Sequence, residues 1–289
     1  MMPLGHLRRA MFFAALAGLG LCSTSSHAGR KKAPRPPEPE VVLPDASPGS
    51  VQERGYATDA EGVIMSRLGF VLRMYAYGMR RYIEDAAVAA ATSPASVSAA
   101  SLSVFTRQLE VATFALFEYT WEEDGRSHTR TYISRSNRGL DRFILRTTTD
   151  LQVPSHAEDH YLPDSDALHY AREPVPVPGS RVAPIQVGVT NREHDAEIKV
   201  LQLLTSEIQE NPRMLGGTLV AFVSQQPCES CSPALRLFAR ENRANVRVNY
   251  VYGARGPERE TALYRALRQA RETAVALLLS RFTVQAGDG

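Results

Sequence analysis

Two cysteines, Cys228 and Cys231, stand within the segment PCESC at residues 227–231. They follow an apolar run at residues 218–224 and precede a segment with helical periodicity. Unpaired amides and the helix dipole at a helix start stabilise thiolates, which are zinc ligands. Two thiolates on one turn can both reach a single Zn²⁺ at about 2.3 Å, but two ligands do not hold the ion. The pattern therefore predicts a zinc site that takes a third ligand from elsewhere in the chain.

The start of the preceding helix supplies the candidates for that third ligand. His194, Asp195 and Glu197 open a segment whose apolar residues follow a helical period as far as Ile208. His194 and Asp195 both carry atoms that bind zinc, and Asp195 is also a favourable helix N-cap residue. Both stay open as ligands. A site with three protein ligands keeps its fourth position for water, so this one is predicted to be catalytic rather than structural.

Glu197 is the candidate proton carrier of such a site, since it lies in the first turn of the helix. Zinc lowers the pKa of a bound water to near neutrality. A carboxylate beside that water can accept its proton and return it to a leaving group. We therefore interpret Glu197 as the catalytic base and Zn²⁺ as the cofactor.

A second pair with the spacing His-x-Glu, His156 and Glu158, stands in a less regular segment. No sustained apolar stripe surrounds it, and Pro163 interrupts the segment. A metal ligand needs a rigid element beneath it. We interpret these two residues as loop or surface residues rather than as ligands.

Strand and helix patterns alternate around the candidate site. Residues 111–121 and 128–136 are rich in β-branched and aromatic residues and predict a hairpin. A helix, strand, helix, strand and helix are predicted next, at residues 194–211, 218–224, 232–242, 245–253 and 257–281. The order predicts an α/β domain over residues 106–285, in which a sheet and helices form separate layers.

The N-terminal part of the chain has a different character. A basic start, an apolar run and a small-residue site ending at Ala28 predict a signal peptide at residues 1–28. Proline and charge predict a linker at residues 29–55. Residues 56–105 are predicted to form a helical N-terminal region, in which an apolar stripe at residues 63–83 predicts a core helix.

Two membrane-related alternatives stay open in this part. Cys22 could carry a lipid, although Leu21 occupies a position where such sites have a small residue. Arginines on the polar face of the 63–83 helix would also suit a membrane surface. The apolar run at residues 10–22 is too short to span a bilayer, so we expect no stable membrane span. The export signal predicts a secreted or periplasmic protein.

Composition adds few constraints. The hydrophobic fraction of 44% and the charged fraction of 22% are typical of a globular domain. A net charge of +2 does not by itself indicate binding to nucleic acid or membrane. Between Ser232 and Arg281, ten arginines stand against four glutamates. This segment is consistent with a phosphate-binding surface and also with an ordinary solvated helix face.

The order of ligand-x-Glu, helix, strand and Pro-Cys-x-x-Cys resembles the zinc-dependent nucleobase deaminase superfamily. The resemblance covers about residues 106–285. The segments DAEIKVLQLL, PCESC and VNYVYG are most similar to the deaminase domains of bacterial secreted toxins. The first motif departs from the usual His-x-Glu, because Asp195 stands two residues before Glu197 and His194 three before it. Some toxin branches carry Asp at the ligand position, which favours Asp195, with His194 as the alternative.

The resemblance implies a three-layer cytidine-deaminase-like fold, a mixed sheet with helices on both faces. It implies a Zn²⁺ ion held by Asp195 (or His194), Cys228 and Cys231. The reaction would be hydrolytic deamination of cytosine or adenine, in nucleic acid or nucleotide. Asn137, after the second hairpin strand, would contact the ribose or the base.

Export combined with this chemistry predicts a secreted bacterial toxin or effector. Because nucleotides and nucleic acids are scarce outside the cytoplasm, an exported deaminase would act in a target cell. A neutralising immunity protein is then the expected partner. Two other functions are an exported Cys-x-x-Cys dithiol–disulfide oxidoreductase and a catalytically dead zinc-binding module. The lack of Trp or Gly beside the cysteines argues against the first, and Glu197 argues against the second.

Overall fold

A mixed sheet of six strands brings the predicted motifs together. The computed structural model describes residues 48–89, 99–136, 162, 165–182, 192–253, 260–280 and 282. All of these residues belong to the unit Asp45–Gly289. With helices packed on its sheet, the described part of the chain is an α/β fold, which confirms the predicted class at this level.

The sheet combines parallel and antiparallel pairing. Its strands are β1 (Val51–Tyr56), β2 (Phe114–Glu123), β3 (Arg126–Arg135), β4 (Leu168–Tyr170), β5 (Thr218–Val223) and β6 (Asn245–Val251). Their order across the sheet is β1-β6-β5-β2-β3-β4. The strands β1, β6 and β5 run parallel to one another, and β2 is antiparallel to both β5 and β3. The short β4 pairs in parallel with β3 at the other edge.

The helices pack on the two faces of this sheet. They are α1 (Val63–Ala89), α2 (Ala99–Val111), α3 (Ala196–Glu210), α4 (Cys231–Glu241) and α5 (Ala262–Leu279), with a 3₁₀ turn at Pro212–Met214. One buried apolar cluster joins α1, α2 and α5 to the sheet. A second cluster joins α3 and α4 to the sheet.

The alternation along β2 shows how the sequence divides the two clusters. Phe114 and Leu116 pack in the cluster of α1, whereas Ala115 and Phe117 pack in the cluster of α3. Successive side chains of a strand point to opposite faces of the sheet. A continuous apolar run in a strand therefore requires cover on both faces, and the helices provide it.

The predicted hairpin is confirmed, because β2 and β3 pair antiparallel from Phe114–Arg135 to Glu123–Arg126. Asp124 and Gly125 connect the strands with φ of 52° and 73°. Positive φ at both positions is the type I′ conformation, for which Asp-Gly is a favoured pair.

The predicted order of helix, strand, helix, strand and helix after the hairpin is also confirmed. The largest shift of a boundary is at the last helix, which begins at Ala262 rather than at residue 257. Thr261 caps it, and its side chain accepts a hydrogen bond from the Tyr264 amide at 3.1 Å. The predicted core helix at residues 63–83 is confirmed as part of α1, with Leu68 and Leu72 fully buried.

Two strands add to the predicted order. Residues 51–55, which their composition assigns to the linker, form most of β1 and pair with β6. The strand has no apolar alternation, because it lies at the sheet edge with Glu53 and Arg54 exposed. The other addition, β4, is three residues long and lies between the predicted hairpin and the predicted helix at residues 194–211, a segment without a predicted element.

Several predictions fall outside the described residues. These are the signal peptide, Cys22, the linker at residues 29–47, Asn137, His156 and Glu158. The domain boundaries at residues 28, 55 and 105 stay predictions. None of the described helices has both the length and the apolar character needed to cross a membrane.

Arg271 joins α5 to the C-terminal end of α2. Its side chain is only 7% exposed, and its guanidinium donates hydrogen bonds to the carbonyl oxygens of Leu109 at 2.7 Å and Ala112 at 2.9 Å. A third bond reaches Ser224 Oγ at 3.3 Å. The last carbonyl groups of a helix lack partners within the helix. Arg271 therefore satisfies this end of α2 and links it to the residue after β5.

We expect Arg271→Met to lower the free energy of unfolding by about 2–4 kcal/mol, because it leaves buried carbonyl oxygens without donors. Arg268→Met on the same helix is the matched control. Arg268 has a side chain that is 58% exposed and pairs with Glu260 at 2.8 Å. An exposed pair contributes less than about 1 kcal/mol. Chemical denaturation measures both changes, and equal losses in the two variants would contradict the role given to Arg271.

Candidate metal centre

Asp195, Cys228 and Cys231 converge at the starts of two helices. Asp195 immediately precedes α3, Cys231 is the first residue of α4, and Cys228 lies in the loop between β5 and α4. Their ligand atoms all lie within 4.8 Å of one another. Within the described residues, this is the only group of three or more His, Cys, Asp or Glu side chains with such spacing.

Three distances define the cluster. Cys228 Sγ lies 3.3 Å from Asp195 Oδ2 and 2.8 Å from Cys231 Sγ. Cys231 Sγ lies 3.6 Å from the same carboxylate oxygen. Both cysteines are free thiols. The sequence-predicted pair of thiols and one of the two predicted third ligands are thus in mutual contact.

A tight turn places both sulfurs on one side of the backbone. The amides of Cys231 and Ser232 donate hydrogen bonds to the Cys228 carbonyl oxygen at 3.0 and 3.2 Å. The Cys231 amide also lies 3.2 Å from Cys228 Sγ, to which it donates. Backbone donors at the start of α4 therefore stabilise negative charge on Cys228, as expected at a helix N-terminus.

Ser230 is a contact of the site that the cysteine motif alone does not predict. It is fully buried, and its Oγ lies 2.9 Å from Cys228 Sγ. A hydrogen bond to a metal-binding sulfur tunes the charge of that sulfur and fixes its orientation. The feature of the sequence that indicates this contact is a hydroxyl residue between the two cysteines.

The two thiols share their protons unequally. A hydrogen bond from Cys231, helped by the Ser230 hydroxyl, lowers the pKa of the Cys228 thiol to about 4. The same hydrogen bond, together with burial, raises the pKa of Cys231. Burial raises the pKa of Asp195 to about 6, and the neighbouring charge on Cys228 adds to this shift. Repulsion from the charge on Cys228 thus contributes to the raised pKa values of Asp195 and Cys231, and a bound cation would relieve it.

Helix capping does not account for the position of the Asp195 carboxylate. Asp195 is the N-cap residue of α3, with φ of −65° and ψ of 141°, but its side chain makes no capping hydrogen bond. An N-cap aspartate ordinarily accepts a bond from an amide of the first turn. Here the carboxylate contacts the two thiols instead.

His194 does not belong to the cluster. Its Nδ1 lies 3.5 Å from Glu173 Oε2. In the described part of the chain, only Asp195 and the two cysteines share the close grouping of ligand atoms. Of the two predicted third ligands, the structure therefore brings Asp195, and not His194, to the thiols.

Glu197 lies buried in the first turn of α3, with 3% of its surface exposed. Burial raises its pKa to about 7, and the charges on Cys228 and Asp195 act in the same direction. Its own backbone amide and the Cys231 thiol oppose the shift. A carboxyl group with a pKa near 7 exchanges protons readily at neutral pH, as general acid–base catalysis requires.

The donor set fits a zinc ion. In a tetrahedral site with ordinary zinc–ligand distances, a sulfur and an oxygen ligand lie about 3.6 Å apart, and two sulfurs about 3.8 Å apart. The sulfur–oxygen distances of 3.3 and 3.6 Å agree with this. The sulfur–sulfur distance of 2.8 Å is about 1 Å shorter, so zinc binding would separate the two thiols.

Comparison with protein-family models, with curated proteins and with solved structures gives no match to this chain. These comparisons therefore assign neither a family nor an activity to the chain. The cluster of Asp195, Cys228 and Cys231, with Glu197 beside it, is therefore the basis on which a function can be argued.

Proposed function

We propose that the protein is a zinc-dependent hydrolytic deaminase of a nucleobase, cytosine or adenine, in nucleic acid or nucleotide. The observation that carries this proposal is the grouping of three ligand atoms within 4.8 Å, with a buried glutamate in the adjoining turn. Structural zinc sites are usually closed by four protein ligands. Three ligands and a carboxyl group with a pKa of about 7 suit a hydrolytic zinc site better than a structural one.

The residues divide the work of the reaction. Asp195, Cys228 and Cys231 would hold the zinc ion, which when bound supplies a Lewis acid that lowers the pKa of water. Glu197 accepts a proton from the attacking water and delivers it to the departing amino nitrogen, which leaves as ammonia. The water oxygen stays on the base as a carbonyl oxygen. Because burial keeps the pKa of Glu197 near 7, it can hold the proton in one step and release it in the next.

The arrangement of the elements supports a cytidine-deaminase-like three-layer fold. The hairpin of β2 and β3 precedes α3, which carries the first motif. The central strand β5 leads to the cysteine segment, and α4 follows it. Helices cover both faces of the mixed sheet, as this fold requires.

We extend the proposal to a secreted bacterial toxin or effector, with an immunity protein as its partner. The support is the sequence of residues 1–28, which has the three parts of a signal peptide, and the resemblance of the motifs to toxin deaminases. A deaminase delivered to another cell would find its substrates there.

A dithiol–disulfide oxidoreductase is the second candidate function. Its support is the 2.8 Å separation of the thiol sulfurs at the start of α4 and the lowered pKa of Cys228. The Asp195 carboxylate, 3.3 Å from Cys228 Sγ, argues against it, because disulfide exchange gives such a carboxylate no role. A catalytically dead zinc module leaves the buried Glu197 without a role.

Incubation of the purified protein with cytosine and adenine substrates tests the proposal. Single-stranded DNA and RNA and the corresponding nucleotides are the substrates, and the products are ammonia and the base with oxygen in place of its amino group. Activity that chelation abolishes and added zinc restores supports the deaminase. Disulfide exchange without any deamination supports the oxidoreductase instead.

A further inference from the structure

A cavity of about 420 Å³ lies beside α4, close to the start of β1. Its lining residues are Gly49, Val51, Pro233, Arg236, Leu237 and Arg240. The volume lies in the range of small-ligand sites. The two arginines are the only charged residues of this lining, so the cavity is positively charged.

The guanidinium groups of Arg236 and Arg240 have no counter-ion among the described residues. Both side chains are exposed, and neither makes an ion pair or a side-chain hydrogen bond with any described residue. The two residues stand four positions apart on α4, where like charges destabilise a helix. An anion bound between them would remove this repulsion.

Acidic side chains of the adjoining segments have other partners. Glu241 accepts hydrogen bonds from Ser180 Oγ at 2.7 Å and from the Arg181 amide at 2.9 Å. Glu53 accepts a bond from Ser232 Oγ at 3.0 Å. None of these contacts is with Arg236 or Arg240, so neither carboxylate pairs with the two guanidinium groups.

The helix α4 connects this cavity to the metal centre. Cys231 is its first residue, and Arg236 and Arg240 follow on the same helix. At 1.5 Å per residue, the two arginines lie about 7.5 and 13.5 Å further along the helix axis than Cys231. A polynucleotide with one base at the metal centre could place the phosphates of neighbouring nucleotides over this distance.

We propose that Arg236 and Arg240 bind the phosphodiester backbone of a single-stranded polynucleotide substrate. This inference rests on the proposed deaminase function and defines its substrate class as a polynucleotide rather than a free base or nucleoside. Guanidinium groups bind phosphate oxygens in bidentate geometry. A single strand is required because a base within a duplex cannot reach a catalytic site without leaving the stack.

Fluorescence anisotropy with a 5′-labelled single-stranded oligonucleotide tests the site in the full-length protein. The cavity variant is Arg236→Gln/Arg240→Gln. The control, Arg73→Gln/Arg265→Gln, removes the same charge from two exposed arginines on α1 and α5, across the sheet from α4. Exposed substitutions of this kind leave the fold intact, and equal unfolding midpoints in both variants verify this.

We expect the cavity variant to bind the oligonucleotide about tenfold more weakly or worse, because two charge-assisted contacts are lost. The slope of log K against log salt concentration should decrease by about 1.4, since each lost contact with a single strand accounts for about 0.7. The control should stay within about twofold of the wild type, because exposed charges far from the contact are screened. Arg236→Lys/Arg240→Lys should recover most of the binding, because it keeps the charge.

Equal losses in the cavity and control variants would overturn the proposal, because they would show a general effect of charge. Competition by polyglutamate as strong as that by unlabelled oligonucleotide would overturn it in favour of an acidic protein partner. If the protein holds zinc and deaminates nucleosides but binds no oligonucleotide, the phosphate site is wrong and the deaminase stands. If binding depends on the two arginines without zinc or deamination, the deaminase is wrong and the phosphate site stands.

Discussion

Replacement of Glu197 by glutamine should lower kcat for deamination by about 10²–10⁴-fold, the range contributed by a general acid–base group. Glutamine has nearly the same size, so it fills the same buried position but cannot accept a proton from water. The zinc content should stay that of the wild type, because Glu197 is not among the three grouped ligands. Initial rates at saturating substrate, together with elemental analysis, measure both quantities.

Glu210→Gln is the matched control for this variant. Glu210 is exposed at the last turn of the same helix, so its replacement should leave kcat unchanged. A Glu197→Gln protein that keeps both zinc and full activity would show that the buried carboxyl group does not carry protons. A loss of zinc in that variant would instead give Glu197 a role in holding the metal.

Replacement of Asp195 by alanine should abolish deamination and weaken zinc binding by more than about 100-fold. Loss of a residue that only hydrogen-bonds to a metal ligand already lowers metal affinity by about 10–100-fold, and loss of a ligand itself should cost more. Its carboxylate lies 3.3 and 3.6 Å from the two sulfurs, in reach of a common ion. His194→Ala is the matched variant one residue away. It should keep both zinc and activity, since His194 lies beside Glu173 and outside the cluster.

Asp195→Asn separates the ligand role from helix capping. Asparagine caps helices as well as aspartate does, but it lacks the negative charge of a carboxylate ligand. We expect Asp195→Asn to retain the unfolding midpoint of the wild type in metal-free buffer. Its affinity for zinc should nevertheless be lower than that of the wild type. Zinc loss in His194→Ala, with retention in Asp195→Ala, would assign the third ligand to His194 instead. Titration with a chromophoric chelator gives the affinities.

The sequence predicts those parts of the fold that local patterns encode. The hairpin follows from Asp124-Gly125 between two strand-like runs, and the fully covered strand β5 follows from its continuous apolar run. The pairing of β1 with β6 is different, because nearly 200 residues separate the two strands. No local pattern in an exposed, charged edge strand encodes such a distant pairing.

The candidate site shows the same division between local and distant information. Cys228 and Cys231 are a pair visible in the sequence, because one tight turn places both sulfurs together. The choice between His194 and Asp195 depends on the direction in which a residue at the start of α3 points. That direction is decided by the packing of α3 against the sheet and α4, which the sequence does not display.

Arg236 and Arg240 are a third case. Their excess of positive charge is apparent in the sequence, where it is equally consistent with a solvated helix face. Only the structure shows that both line one cavity beside the start of β1 and that neither has an acidic partner among the described residues. The three-dimensional neighbourhood of a charge, rather than its presence, distinguishes a binding site from an ordinary surface.

The zinc content of the purified protein under reducing conditions is the most direct test of the central claim. Elemental analysis should find one zinc ion per chain in the wild type and none in Cys228→Ser, because the loss of one thiolate leaves only two ligands. Wild-type protein without zinc, in which Cys228 and Cys231 readily form a disulfide on exposure to air, would contradict the metal centre. The thiol pair would then belong to a redox protein.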